Sequence, residues 1–514
     1  MSMSTEALKQ ASGGKRLAVA GDGELAVMEN RTAAVVATVM LVVSVIAGMV
    51  ASYFLAIGVE NHSNWKVLIT AVSLPWLCVY FVCSFVYYRS LYSFANLYVV
   101  VLSLFHLGVT IPDALNVFEK FGWGGGEFEK WLEYSAWYTV LSLGSLGVGT
   151  AVALMQRGGR ATPGVEKETV EWAKRLVFFD GVGLMLASLV FAGLALASFG
   201  NLLAYARVDF FRGVRDTRGL GAFLMVFPGA ATLLVIGASN KWQKILSAIC
   251  AAVGGLLIML SGYRTYALMP LLVGSVIWVK TGRRIPAAVA GLALAAMFIL
   301  IPIVGVVRAA GPYKDWDRTT FLDAWNEVSA DKVFALGQTG GLLAHVLERV
   351  PMLDPYQYGH TYLKGLVDSI PNLTPKIRES SRAVGERQSW NDREAISKMP
   401  PSDWITYHLD MWKFRHGEGV GFTGIGEPYL NFGVVGVIVF FVGIGYALAR
   451  VDGAAILGSP SLLIFLGTMF WGLMRTVRDD MATFFHPSVF VVITLVIWRL
   501  FAFPWLPRKP NTWR

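Results

Sequence analysis

Residues Thr32–Gly58 read TAAVVATVMLVVSVIAGMVASYFLAIG, without one Asp, Glu, Lys or Arg. A helix crossing the hydrocarbon core of a bilayer needs about 20 such residues, so this run is long enough to span. It is too long for the core of a signal peptide, and the mixed polar stretch Met1–Arg31 precedes it, so it reads as a retained first span. Outward from it the pattern recurs at Val67–Val86, Ser93–Ile111, Trp131–Met155, Leu176–Leu203, Leu220–Ala238, Ile245–Leu260 and Tyr266–Val279. Ile285–Val307, Pro428–Ala449, Ser461–Met474 and Ala482–Trp498 complete the set. The expectation is an all-α polytopic integral membrane protein with about 12 transmembrane helices, each satisfying its own backbone as lipid demands.

Composition agrees. The chain has 514 residues, of which 55% are hydrophobic and 15% charged, with mean hydropathy +0.54. Ordinary soluble domains carry roughly 25% charged residues, so a soluble enzyme is excluded, and so is a disordered chain. Cys78, Cys83 and Cys250 all fall within apolar runs and give no disulfide framework or Cys-rich zinc site.

The formal charge of +9 suggests nucleic acid only until sidedness is considered. With the N-terminus inside, 20 Lys and Arg fall on the inner face and 10 in short outer loops, the bias expected of a cytoplasmic side. The division that follows is a cytoplasmic tail (1–31), nine helices (32–307), a large outer loop (308–423), three helices (424–498) and a cytoplasmic tail (499–514). The outer loop is long enough for short helices of its own, and Phe321, Leu322, Trp325 and Val328 sit at amphipathic spacing within it. No nucleic acid is implied, and the remaining excess of charge is topological.

The exceptions to the sidedness rule carry the functional signal. Seven of the ten outer short-loop cations are arginines: Arg207, Arg212, Arg215, Arg218, Arg264, Arg475 and Arg478. Arginine presents a planar fork that holds phosphate at two points, which lysine cannot copy. Arg264 joins two short spans and should be drawn below the interface, where a cation needs a partner such as a diphosphate. The plainer alternative is pairing with Asp209, Asp216, Asp479 and Asp480, or snorkelling to lipid phosphates.

All seven histidines, His62, His106, His345, His360, His408, His416 and His486, also map to the outer half. Four lie in the large loop, where a neutral imidazole could take a proton from a hydroxyl, although most are expected to be hydrogen-bonded loop residues. The loop's Trp and Tyr residues suit sugar faces or the core of a small fold equally. Asp315-Trp316-Asp317 is an Asp-x-Asp without flanking support, and no metal is expected. Asp180, towards the inner end of its span, reads as the one carboxylate within a span, and no halves repeat, which argues against a transporter.

At the end of the loop the chain reads Gly424-Ile-Gly-Glu427-Pro-Tyr429-Leu-Asn431-Phe-Gly433-Val-Val-Gly436 and runs into a span. This resembles the bacterial O-antigen and exopolysaccharide repeat-unit polymerases of the Wzy type. Ser261-Gly-Tyr-Arg264-Thr is similar to that family's outer Gly-x-Arg, and Arg478-Asp-Asp to its final Arg-containing loop. Tyr358-Gly-His360-Thr-Tyr362 through Ile370-Pro371 is similar to its large-loop motif. The related O-antigen ligases carry a histidine motif where Glu427 stands here, so that histidine role does not carry over.

The resemblance implies a GT-C-like membrane glycosyltransferase of the bacterial inner membrane, acting at the periplasmic face without cofactor or metal. Its implied partners are undecaprenyl-diphosphate-linked oligosaccharide, the growing glycan, membrane lipids and a chain-length regulator. Arg264 and Arg478 would then bind the diphosphate, with Arg207, Arg212, Arg215 and Arg475 as further contacts. Glu427 would be the acceptor-side carboxylate, as base or orienter, with His360, His408 and His416 as rivals and Tyr358, Tyr429 and Asn431 beside the substrate. Alternatives are a glycan ligase, a polyprenyl-phosphate-sugar transferase and, in a different class, a lipid-linked glycan transporter. For Glu427 the competing role is an N-terminal helix carboxylate beside Pro428.

Overall fold

The computed structural model describes residues 18–58, 64–117, 127–157, 166–199, 220–260, 264–286, 288–289, 291–292, 335–370, 399–415 and 419–507. Among these residues the structure is helical, without a strand. The helices of the first half are α1 (Ala18–Ile57), α2 (Trp65–Tyr88), α3 (Phe94–Leu107), α4 (Thr110–Ala114), α5 (Glu127–Arg157), α6 (Lys167–Phe199), α7 (Leu220–Gly237), α8 (Lys241–Leu260) and α9 (Arg264–Lys280). The segment between α9 and the next long helix contributes α10 (Thr339–Arg349), α11 (His360–Ser369), α12 (Pro401–Leu409) and α13 (Met411–Arg415). The chain then forms α14 (Gly426–Asp452), α15 (Pro460–Thr468), α16 (Phe470–Arg475) and α17 (Ala482–Phe501).

Among the described residues six helices are long and apolar enough to cross a bilayer, and shorter apolar helices accompany them. The protein is a polytopic membrane protein. Two expected spans are broken. Ser93–Ile111 stops at Leu107, where Gly337 approaches so closely that a β-carbon there would lie 2.5 Å from the Val109 nitrogen. Ser461–Met474 is split into α15 and α16 at Met469. The expected spans Leu220–Ala238, Ile245–Leu260 and Tyr266–Val279 appear as α7, α8 and α9. Most of Ile285–Val307 and the 321–328 stretch lie outside the described residues.

Helix α5 is the centre of the bundle: 78% of its apolar window is buried, against 17% for α17. In lipid the outward apolar rows of the other helices cost nothing, so close packing of small residues must hold the helices together. The contact of α5 with α14 is of that kind. A methyl at Gly149 would strike the Val442 carbonyl, and one at Gly445 the Leu146 carbonyl.

Buried charges fasten the end of the bundle opposite the arginine-bearing loops. Asp452, at the end of α14, accepts from the Phe94 and Ala95 N–H groups at 2.8 and 2.9 Å, the orphan donors that open α3. Lys280 at the end of α9 pairs with the same carboxylate at 3.0 Å. Asp180 of α6 is buried and takes a two-point pair from Arg499 of α17 at 3.1 and 2.6 Å. The carboxylate within a span is thus a strut between two helices. Glu133 of α5 is a second such carboxylate, also buried, and lies inside the Trp131–Met155 run, a position the single-carboxylate reading passes over.

Asp180 is the buried member of its pair with Arg499, whose side chain is 41% exposed, so removing the arginine leaves a buried carboxylate uncompensated. Arg499→Met is expected to destabilise the protein by about 3 kcal/mol, measured as a lower midpoint of thermal unfolding in detergent. An unchanged midpoint would show that water already solvates Asp180.

Candidate functional site

The site is assembled at the N-terminal end of α14. Asn431-Phe-Gly433 breaks the helix about two turns in: Phe432 has φ −139° and Gly433 φ +62°, a left-handed conformation that glycine adopts without steric cost. The break frees Leu430 and Asn431 to accept from the Gln357 and Tyr358 N–H groups at 3.0 Å each. Asn431 is fully buried; its side-chain oxygen accepts from the Gly359 N–H at 2.8 Å. Its amide donates to Thr361 Oγ1 at 2.7 Å and to the Glu427 carbonyl at 2.9 Å. These bonds fix the start of α11 against α14.

Glu427 is 2% exposed. Thr361 donates to its Oε1 at 2.8 Å, and the Met481 N–H donates to its Oε2 at 2.6 Å. Its carboxylate therefore joins three segments: α14, the start of α11 and the loop between α16 and α17. Tyr429, also buried, donates from its hydroxyl to the Val350 carbonyl at 3.2 Å and meets Tyr138 edge to face.

Arg475 ends α16, and the α16–α17 loop that follows carries Arg478, Asp479 and Asp480. It is held by the residues preceding α14. The Phe422 N–H donates to the Arg478 carbonyl at 2.8 Å, and the Gly424 N–H to the Val477 carbonyl at 3.1 Å. Gly424 permits this approach, since a β-carbon there would come 2.6 Å from the Thr476 carbonyl oxygen. The loop also opens α12, because the Ser402 N–H donates to Asp480 at 3.1 Å.

Arg475 donates to Asp479 at 2.8 Å, and its guanidinium lies 3.9 Å over the Tyr266 ring. The expected carboxylate pairing is realised for this arginine. Burial pushes the Asp479 carboxyl up from the ordinary carboxylate range, opposed by the positive charge of Arg475. Arg478 is partly buried, 6.0 Å from the Phe105 ring of α3. Tyr266 stands two residues after Arg264 on the first turn of α9, so the start of α9 is brought beside the α16–α17 loop. The Arg264 side chain itself lies outside the described residues.

Of the sequence candidates, Glu427 and Asn431 are thus connected through Thr361, the residue after His360, and the segments carrying Arg264, Arg475 and Arg478 meet through Tyr266. His360 is the exposed first residue of α11. Tyr358, just before it, is 77% exposed, at φ +47°. His408 lies on α12 beside the rings of Trp404 and Tyr407. Arg207, Arg212, Arg215, Arg218, His62, His416 and Asp315–Asp317 fall outside the described residues.

The remaining histidines are bonded within the protein. His106 contacts Thr423 Oγ1 at 2.8 Å, His345 Glu348 at 3.2 Å and His486 the Ala482 carbonyl at 2.8 Å. Sequence reasoning missed Thr361 and Tyr266 as partners, although Thr361 stands inside a quoted motif, one residue after His360, and Tyr266 directly follows another, two residues after Arg264.

No curated protein and no solved structure matches the chain. The family described as O-antigen polysaccharide polymerase Wzy matches residues 34–506, nearly the whole length. That match over nearly the whole length, on a helical membrane architecture, shows that the chain belongs to the O-antigen polysaccharide polymerase Wzy family.

Proposed function

We propose that the protein joins oligosaccharide repeat units carried on undecaprenyl diphosphate, at the outer face of the bacterial inner membrane, with both termini cytoplasmic. The observation that carries this reading is that the α9 start meets Arg475 through the Tyr266 ring, while Glu427 hydrogen-bonds both the following α16–α17 loop and the α11 start. These contacts bring together the segments that carry Arg264, Arg475, Arg478 and His360, which supply the cations for a diphosphate and an imidazole for a proton. The excess of Lys and Arg on the opposite face supports the orientation.

In the proposed reaction an acceptor sugar hydroxyl attacks the anomeric carbon of the donor glycan. The new C–O bond forms as the bond from that carbon to the diphosphate oxygen breaks, and undecaprenyl diphosphate leaves with the electron pair. Arg264 and Arg478 hold the diphosphate and take up the charge that develops on it. Arg475, already paired with Asp479, steadies the loop, while Arg207, Arg212 and Arg215 supply further contacts.

Both Glu427 oxygens receive protein donors, which favours a positioning role for this residue over that of base. The hydroxyl proton then passes to His360, exposed beside Thr361, with His408 and His416 as rivals. Tyr358 offers its ring to the sugar, whereas buried Tyr429 and Asn431 position the loop. The division into tails, helix groups and a periplasmic loop at 308–423 belongs to the same proposal, as does a chain-length regulator as partner.

Purified protein supplied with synthetic undecaprenyl-diphosphate repeat unit should yield a ladder of lengths. A single capped product would make it a ligase, and unchanged substrate would favour transport.

A further inference from the structure

Between α7, α8 and α9 lies a crevice of about 410 Å³ whose lining is almost entirely apolar. It follows the whole of α9. Tyr266 lines it on the first turn, Gly274 midway, Trp278 on the last turn, and Arg284 stands beyond the helix end. At 1.5 Å per residue that helix is about 26 Å long, close to the ~30 Å of a bilayer's hydrocarbon core and roughly twice the depth of one leaflet. Leu271 and Val289 on the lining are 60% and 55% exposed, so the crevice opens sideways to lipid.

Its two ends differ. Tyr266 at one end carries the Arg475 guanidinium on its ring, so an apolar chain lying in the crevice would have its head among the arginines of the candidate site. At the other end the apolar path stops at a charge, Arg284. A phospholipid tail headed at the same end would cover only about half of this length.

Resting on the reading of the preceding subsection, we infer that the crevice holds the polyisoprenyl tail of the lipid-linked substrate and selects for a chain long enough to cross the membrane. The occupant is argued from the cationic head end and from a length beyond one leaflet. Binding of each further isoprene buries more apolar surface against protein rather than leaving it among mobile lipids, so tail length is read as affinity.

The helices leave room for a test. A β-carbon on Gly255 would meet nothing within 4 Å, and one on Gly274 only the Thr232 methyl at 3.8 Å. Gly255→Leu and Gly274→Leu therefore fill the crevice without striking backbone. The measurement is KM for repeat units carried on undecaprenyl and on geranyl diphosphate in detergent, with Ile249→Leu on the outward row of α8 as control.

The wild type and the control should favour the undecaprenyl substrate by about tenfold in KM, from the dispersion contacts that the longer tail makes with the lining. Both glycine variants should bring that ratio close to one, with the change in KM rather than kcat. Ratios equal to wild type in both variants, with thermal midpoints unchanged, would mean that bulk phospholipid fills the crevice, and would overturn the inference while leaving the polymerase reading intact. No polymer from wild type with either substrate would overturn both.

Discussion

Arg264→Lys and Arg478→Lys are each expected to slow chain extension by about 100-fold, the scale seen when one donor to developing charge is removed. The substitution keeps the positive charge and removes the fork. Lysine offers a compact point charge that cannot bind two phosphate oxygens in a plane, and the loss should appear in the chemical step. The fold should survive in Arg478→Lys, because the bond that holds this residue to Phe422 is made by its backbone carbonyl. Ladder formation timed against thermal midpoint separates the two effects. Wild-type extension by either variant would remove that arginine from the reaction.

Glu427 is the second decisive position. Glu427→Ala leaves the Thr361 hydroxyl and the Met481 N–H without their acceptor in a buried place, an expected loss of about 3 kcal/mol. It should also release the arginine loop from the start of α11, so that activity falls with stability. Glu427→Gln distinguishes positioning from proton transfer. Its amide oxygen can accept from the Met481 N–H while its nitrogen donates to Thr361 Oγ1, at the cost of about 1 kcal/mol for one altered bond. A positioning role predicts a folded variant that extends chains within about threefold of wild type. A folded Gln variant without activity would return the base role to Glu427.

Legibility in the sequence followed the physics of each signal. Long apolar runs are read by length alone, and α1, α2, α5, α6, α14 and α17 lie where hydropathy puts them. Spans with close backbone contacts were not readable in the same way. The break after Leu107 falls at Gly108, a local stop signal, but the close packing of Gly337 against it comes from far along the chain, and no local pattern records that contact. The arginine anomaly located the α16–α17 loop, but the sign of a charge does not reveal its partner: Arg475 is taken up by Asp479 and Tyr266.

Glu427 was legible as a carboxylate opening a helix. Its bond to Thr361, 66 residues away in the chain, decides how it acts, and that pairing is a tertiary fact. The glycine of Asn431-Phe-Gly433, by contrast, carries its reason locally, in the positive φ that lets the loop bond to α14.

The central claim is that the outer arginines grip a diphosphate at two points, and binding of the leaving group tests it without any reaction. The dissociation constant of undecaprenyl diphosphate should be about tenfold weaker in Arg478→Lys and Arg264→Lys than in wild type, as loss of one charge-assisted bond implies. Equal affinity in all three proteins would contradict it.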